Sequence, residues 1–185
     1  MTWRTTLVYW VLLGLLAGYY AAVESKARPV SEIVVAREKV LGVYADEVMA
    51  ITLRRDGQDV RCERRDKRWT MVQPRDAKVP ADLISVLVDN LTEKQEAEEI
   101  SAAPPPEELR AFGLADASTV LEVELAGGKT ASVKLGARNP PQTAVYAQTS
   151  LSPRVLLVGL NVQYYADLLH EAGRVAAASS ASGKN

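Results

Sequence analysis

His170 and Cys62 are the only imidazole and the only thiol in this 185-residue chain. A multi-histidine or cysteine-rich metal centre therefore cannot be assembled from it. His170 sits beside Leu169 at the end of a helical pattern and reads as a capping or surface residue. Cys62 has no intramolecular disulfide partner, which leaves the redox compartment open. No Gly-x-Ser-x-Gly elbow occurs, and no glycine-rich loop precedes a helix to cradle phosphate. Gly127 and Gly128 follow a strand pattern but lead into another, so they punctuate a hairpin. Glu122 and Glu124 project from the same face of one strand. A paired-carboxylate hydrolase could use such an arrangement, but a solvated sheet face accounts for it as well. The expectation is a protein that is not an enzyme, with no cofactor, no metal and no small-molecule substrate.

The arginines carry a second kind of chemistry. Arg54, Arg55, Arg61, Arg64, Arg65 and Arg68, with Lys67 among them, crowd one hairpin. Asp56, Asp59, Glu63 and Asp66 offset them in part. Six guanidinium groups form a candidate partner- or anion-docking surface for anionic lipid, cell-wall polymer or an acidic protein domain. The plainer alternative is that they and the acidic residues form opposite-sign solvated surfaces that contact each other. Glu93, Glu96, Glu98, Glu99, Glu107 and Glu108 make a later acidic stretch. No aromatic residues interleave the arginines, and the net charge is −1, so nucleic acid is not an expected partner.

The element that positions these groups in a cell is the apolar run 5–23. It contains nineteen uncharged residues between Arg4 and Glu24 and would span roughly 28 Å as a helix, close to the ~30 Å hydrocarbon core of a bilayer. Trp3, Tyr9 and Trp10 lie near one end and Tyr19 and Tyr20 near the other, as amphipathic rings do at headgroup level. A cleaved signal peptide would want a shorter core and small residues at its exit. Tyr19-Tyr20-Ala21-Ala22-Val23 supplies bulky ones, so an uncleaved anchor is expected. Gly14, Gly18 and Ala22 recur every four positions and line one face, which lets a second membrane helix approach closely. Lys26, Arg28, Arg37 and Lys39 follow the span. By the positive-inside rule they argue for a cytoplasmic body, a rule that weakens when a long domain follows.

Behind a four-residue flank, the anchor and a juxtamembrane segment at 24–45, residues 46–172 read as one α+β domain, with a flexible Ala/Ser/Gly tail at 173–185. Its apolar period is two. Met49, Ile51 and Leu53 alternate with polar neighbours up to a turn at Asp56-Gly57. Val60 and Cys62 alternate up to a turn at Asp66-Lys67, and Trp69 and Met71 complete an antiparallel meander. Pro80 and Asp82 open a helix whose Leu83, Ile84, Leu87, Val88 and Leu91 stripe one face. After Pro104-Pro105-Pro106 comes a short helix stopped by Gly113. Further strands follow at Leu121–Leu125, 131–135, 144–149 and 155–158, and a helix at 161–170 closes the domain. Strands and then a helix, twice over, predict antiparallel sheets with two loosely related βββα-type halves, about 46–101 and 102–172.

These residues resemble the bacterial domain-of-unknown-function 4340 family. The resemblance rests on Asp46-Glu-Val-Met-Ala-Ile-Thr-Leu53, Trp69-Thr-Met-Val-Gln-Pro74, Val79-Pro-Ala-Asp82, Phe112-Gly-Leu114, Leu135-Gly136 and Val145-Tyr146. It covers roughly 40–169 and carries no catalytic signature. It implies one amino-terminal membrane helix, an extracytoplasmic body at the bacterial inner membrane, and an accessory role beside the integral membrane and ATPase subunits of a gliding-type ABC transporter. Many members carry more copies of the unit than this chain does. The expected function is therefore a single-pass scaffold subunit. The rival reading is a membrane-anchored module that holds a cell-envelope polymer between the two halves, and a cryptic hydrolase is the weakest of the three.

Overall fold

The computed structural model describes residues 37–75 and 79–182, together with Trp3, Trp10, Leu12 and Leu13. It divides into two units, Met1–Val35 and Ala36–Asn185. In the first, the four described residues are helical and exposed. The span read at 5–23 otherwise lies outside the described residues, as do Gly14, Gly18 and Ala22. Among the described residues, no helix is long and apolar enough to cross a membrane.

The second unit is α+β. Its strands are β1 (Arg37–Lys39), β2 (Val48–Arg55), β3 (Gln58–Arg65), β4 (Arg68–Gln73), β5 (Glu96–Ser101), β6 (Thr119–Leu125), β7 (Thr130–Arg138), β8 (Ala144–Thr149) and β9 (Val155–Gly159). They form one sheet in the order β1-β5-β9-β8-β7-β6-β2-β3-β4, and every neighbouring pair is antiparallel. Helix α1 (Ala81–Asp89) runs on into a π turn at Asn90–Lys94, α2 (Pro106–Ala111) is short, and α3 (Leu160–Ser182) closes the chain. The expectation of separate sheets gives way to a single one. The two meanders meet along a backbone ladder between their first strands, β2 and β6, with Leu53 opposite Leu121. Their boundary is therefore hydrogen-bonded sheet.

Alternation builds the core. Ile51, Leu53, Val60, Cys62, Trp69, Met71, Val133 and Leu135 face Ile84, Leu87 and Leu91 of the α1 segment and Val162, Ala166 and Leu169 of α3, all in one buried cluster. Burying each large aliphatic side chain is worth roughly 1.5–3 kcal/mol, and this cluster holds both long helices on one face of the sheet. The two hairpin turns form as the sequence predicts. Asp56 and Gly57 (φ 51° and 75°) turn between paired Arg55 and Gln58. Asp66 and Lys67 (φ 49° and 63°) turn between paired Arg65 and Arg68. Positive φ at both central residues matches the right-handed strand twist.

Three expectations need correction, and one strand escapes the sequence pattern. Met49 is not buried: a bulge between Val48 and Ala50 shifts the register against β6, so Val48 enters the core and Met49 is 46% exposed. A bulged residue leaves the alternation of its strand. The acidic stretch at 96–99, to which the sequence pattern gives no element, lies in strand β5, whose one buried side chain is Ala97. Its place in the sheet comes from backbone pairing with β9 and β1. The juxtamembrane segment is shorter than expected, because β1 pairs with β5 and Val40 and Leu41 behind it are buried. The tail at 173–185 is helical as far as Ser182. Alanine is the strongest helix former, so the alanine run continues the helix where the composition suggests a flexible tail. Gly173 is buried within that helix, where an added Cβ would lie 2.4 Å from Val60 Cγ2, so α3 lies directly on β3.

Candidate functional site

Side chains that alternate with the core residues of β2, β3 and β6 point to the opposite face of the sheet. On β2 these are Ala50, Thr52 and Arg54, small in the middle of the row. Arg61 on β3 reaches over Ala50 and Thr52 to Glu124 on β6, with guanidinium–carboxylate distances of 2.5 and 2.9 Å. The fork leaves Ala50 only 3% and Thr52 8% exposed. Nε of Arg61 donates to Glu63 at 3.2 Å, and Arg65 donates to the other oxygen of Glu63 at 2.8 Å. Arg54 pairs with Glu122 at 2.8 Å. A bidentate guanidinium–carboxylate pair fixes orientation as well as adding energy.

The structure thus brings together three of the six arginines singled out in the sequence, Arg54, Arg61 and Arg65, and engages each one internally, while Arg64 lies on the helix-covered face beside Trp69. Arg64 donates to the carbonyl oxygens of Ala45 and Asp46 at 3.1 and 3.3 Å. Arg55 is separate and bonds Asp167 on α3. Arg68 is exposed at the start of edge strand β4. The carboxylates that meet the arginines are mainly Glu122, Glu124 and Glu63 rather than the later acidic stretch. Glu122 and Glu124 were legible as a same-face pair. Their role as counter-ions was not, because β6 lies some sixty residues downstream, and Asp167 was missed for the same reason.

The network sets a pH dependence. The Arg61 hydrogen bond holds the Glu124 carboxyl below its usual range, and hydrogen bonds from Arg65 and then Arg61 do the same for Glu63. A carboxylate whose folded pKa is depressed contributes stability that is present above its unfolded value, roughly 4.3, and is lost as pH falls through the folded value. Wild-type stability is therefore expected to drop as pH falls from 5 to 3. Glu124→Gln should remove part of that slope. Since both partners are about a third exposed, the contribution is about 0.5–1 kcal/mol. Urea midpoints across that pH range check it, and equal slopes in variant and wild type would overturn it.

Burial pushes the Cys62 thiol up to about 12, and the residue is fully buried under the sheet, so no thiolate nucleophile is presented at neutral pH. His170 is half-buried on α3, with Nδ1 buried and unpaired. Its neighbours in sequence, Asp167 and Glu171, are engaged by Arg55 and Arg174. Among the described residues, no three His, Cys, Asp or Glu side chains lie close enough to hold a metal. A cleft of about 270 Å³ opens between the β3–β4 turn and α1, with Arg64, Lys67, Trp69, Ser85, Asp89 and Glu93 on its walls.

A second constellation lies over β7 and β8. Gly113 ends α2 at φ +69°, and the Phe112 carbonyl accepts the Ala137 N–H at 2.8 Å. The Phe112 ring meets Tyr146 at a centroid distance of 4.3 Å. Leu114 is buried over Gly136, where an added Cβ would fall 2.2 Å from the Phe112 carbonyl oxygen. Phe112-Gly-Leu114 and Leu135-Gly136, two separate pieces of the sequence pattern, are therefore the two sides of one joint.

A single antiparallel sheet with its long helices on one face defines an α+β domain. The family described as domain of unknown function (DUF4340) matches residues 69–172, more than half of the chain, and the chain belongs to that family. The match starts at Trp69, so β1, β2 and β3 precede it. No curated protein and no solved structure matches the chain.

Proposed function

We propose that this chain is a non-enzymatic, single-pass accessory or scaffold subunit of a bacterial inner-membrane complex, with its α+β body outside the cytoplasm. In this reading residues 5–23 form the membrane helix. Gly14, Gly18 and Ala22 are its packing face toward an integral membrane subunit. The two strand-then-helix groups, β2–β4 with α1 and β6–β9 with α3, are related halves of the body. The proposed partners are the membrane and ATPase subunits of a gliding-type ABC transporter, a choice that rests on the family resemblance. One observation carries the scaffold reading. The open face of the sheet is built from ion pairs already closed within the chain, which favours a rigid docking platform over a site that must bind and turn over a substrate. The cleft beside Trp69, with cationic and anionic side chains on its walls, favours the second reading, a cell-envelope polymer-binding module.

Purifying the full chain from its native membrane in mild detergent and identifying co-purifying proteins by mass spectrometry tests the first reading. Stoichiometric recovery of an ATPase and its membrane subunit is the expected result. A chain that emerges alone but is retained on cell-wall material would favour the polymer-binding module and end the subunit reading.

A further inference from the structure

The inner face of α3 is spent on the sheet, where Val162, Ala166 and Leu169 are fully buried. Its outer side is not featureless. Asn161, Tyr164, Leu168, Glu171, Val175 and Ala178 are all exposed and follow one another at alternating steps of three and four. That spacing keeps side chains on one seam of a helix facing a second helix. Three of the six are large and apolar, with Tyr164 at 57%, Leu168 at 37% and Val175 at 55% exposure. Exposed apolar residues scattered singly need no explanation, but a row at this spacing does.

We propose that α3 packs antiparallel against α3 of a second copy of this chain through this seam. The residues themselves select the partner and its direction. A parallel, in-register pair would place Glu171 on Glu171 in the middle of the seam. An antiparallel pair with its two-fold axis between Leu168 and Glu171 sets Tyr164 on Val175, Leu168 on Glu171, and Asn161 on Ala178 of the other copy. The same axis places Asp167, on the seam's border and bonded to Arg55 of its own copy, opposite Arg174. By symmetry this complementary pair occurs twice, as isologous interfaces require. Arg174 already holds Glu171 at 2.6 and 2.9 Å within one helix, so in the pair it would serve two carboxylates. The inference concerns copy-to-copy contact and stands or falls apart from the transporter assignment.

Cysteine cross-linking of the full chain in its native membrane tests this. In the variant Asn161→Cys/Ala178→Cys the two thiols lie about 26 Å apart along one helix at 1.5 Å per residue, so any disulfide between them joins two copies. Native Cys62 is fully buried and does not compete. Mild oxidation is expected to convert the double variant to a reducible dimer, and to convert neither single variant. Adding Leu168→Asp, a change at an exposed position, should abolish the dimer band without changing the circular-dichroism melt. The proposal fails if no dimer forms, if Asn161→Cys cross-links alone as a parallel pair would, or if Leu168→Asp leaves the band undiminished.

Discussion

Replacing Trp69 by alanine is expected to lower the stability of the body by about 3–5 kcal/mol, the range for truncating a buried aromatic. Trp69 is 9% exposed in edge strand β4 and belongs to the buried cluster that includes Ile84, Leu87 and Val88 of α1. Among the described residues β4 has β3 as its one strand neighbour, so much of its attachment comes from the Trp69 and Met71 side chains. The cavity left by the indole would lie between β4 and α1, where neither element can close onto it without disturbing the other. Since whole domains are stable by only about 5–15 kcal/mol, the variant should sit near the edge of folding. Urea unfolding followed by far-ultraviolet circular dichroism is the measurement, because the mutation removes a fluorescent probe. A loss below about 1 kcal/mol would mean that β4 does not depend on this contact.

Gly136→Ala is expected to cost about 2–5 kcal/mol, although it adds a single methyl group. The obstacle is the Phe112 carbonyl oxygen, 2.2 Å from where the Cβ must go, and a backbone atom has no rotamer by which to move aside. The loop after α2 would have to lift from β7. It would lose the Ala137–Phe112 hydrogen bond and the Phe112–Tyr146 ring contact, and it would expose Leu114, whose burial alone is worth an amount in this range. Leu114→Ala provides the control. If both changes undo the same joint, the double variant should be less destabilised than the sum of the singles, as for residues that share a contact. Full additivity would show that Gly136 and Leu114 act separately.

What could be read in advance follows from how local the determining force is. Alternation along β3 and β4, the helical stripe of Ile84, Leu87, Val88 and Leu91, and the two-residue turns are each specified within a few residues, and the structure has them. Met49 escaped because a bulge is set by pairing with β6. Strand β5 escaped because Glu96, Glu98, Glu99 and Ile100 are exposed, so its place comes from backbone ladders on both sides. The charged face was half legible. The arginines and the Glu122–Glu124 pair stood out, but the bridge from Arg61 to Glu124 needs β2 between them, with small residues where the guanidinium crosses. The joint at Gly136 showed in the sequence as two short motifs, with nothing to say that they touch.

The order of strands also bears on what can fold alone. Strand β4, where the family match begins, reaches β6 and the rest of the matched sheet only through β3 and β2, which precede the match. A fragment beginning at Trp69 would strand β4 without a neighbour and bare the ladder edge of β6. The ladder pairing of Leu53 with Leu121 closes a long loop, whose entropy must be offset before the contact contributes stability. The smallest autonomous unit is therefore larger than the stretch by which the family is recognised, and its cooperativity hinges on the central strand contributed from outside that stretch.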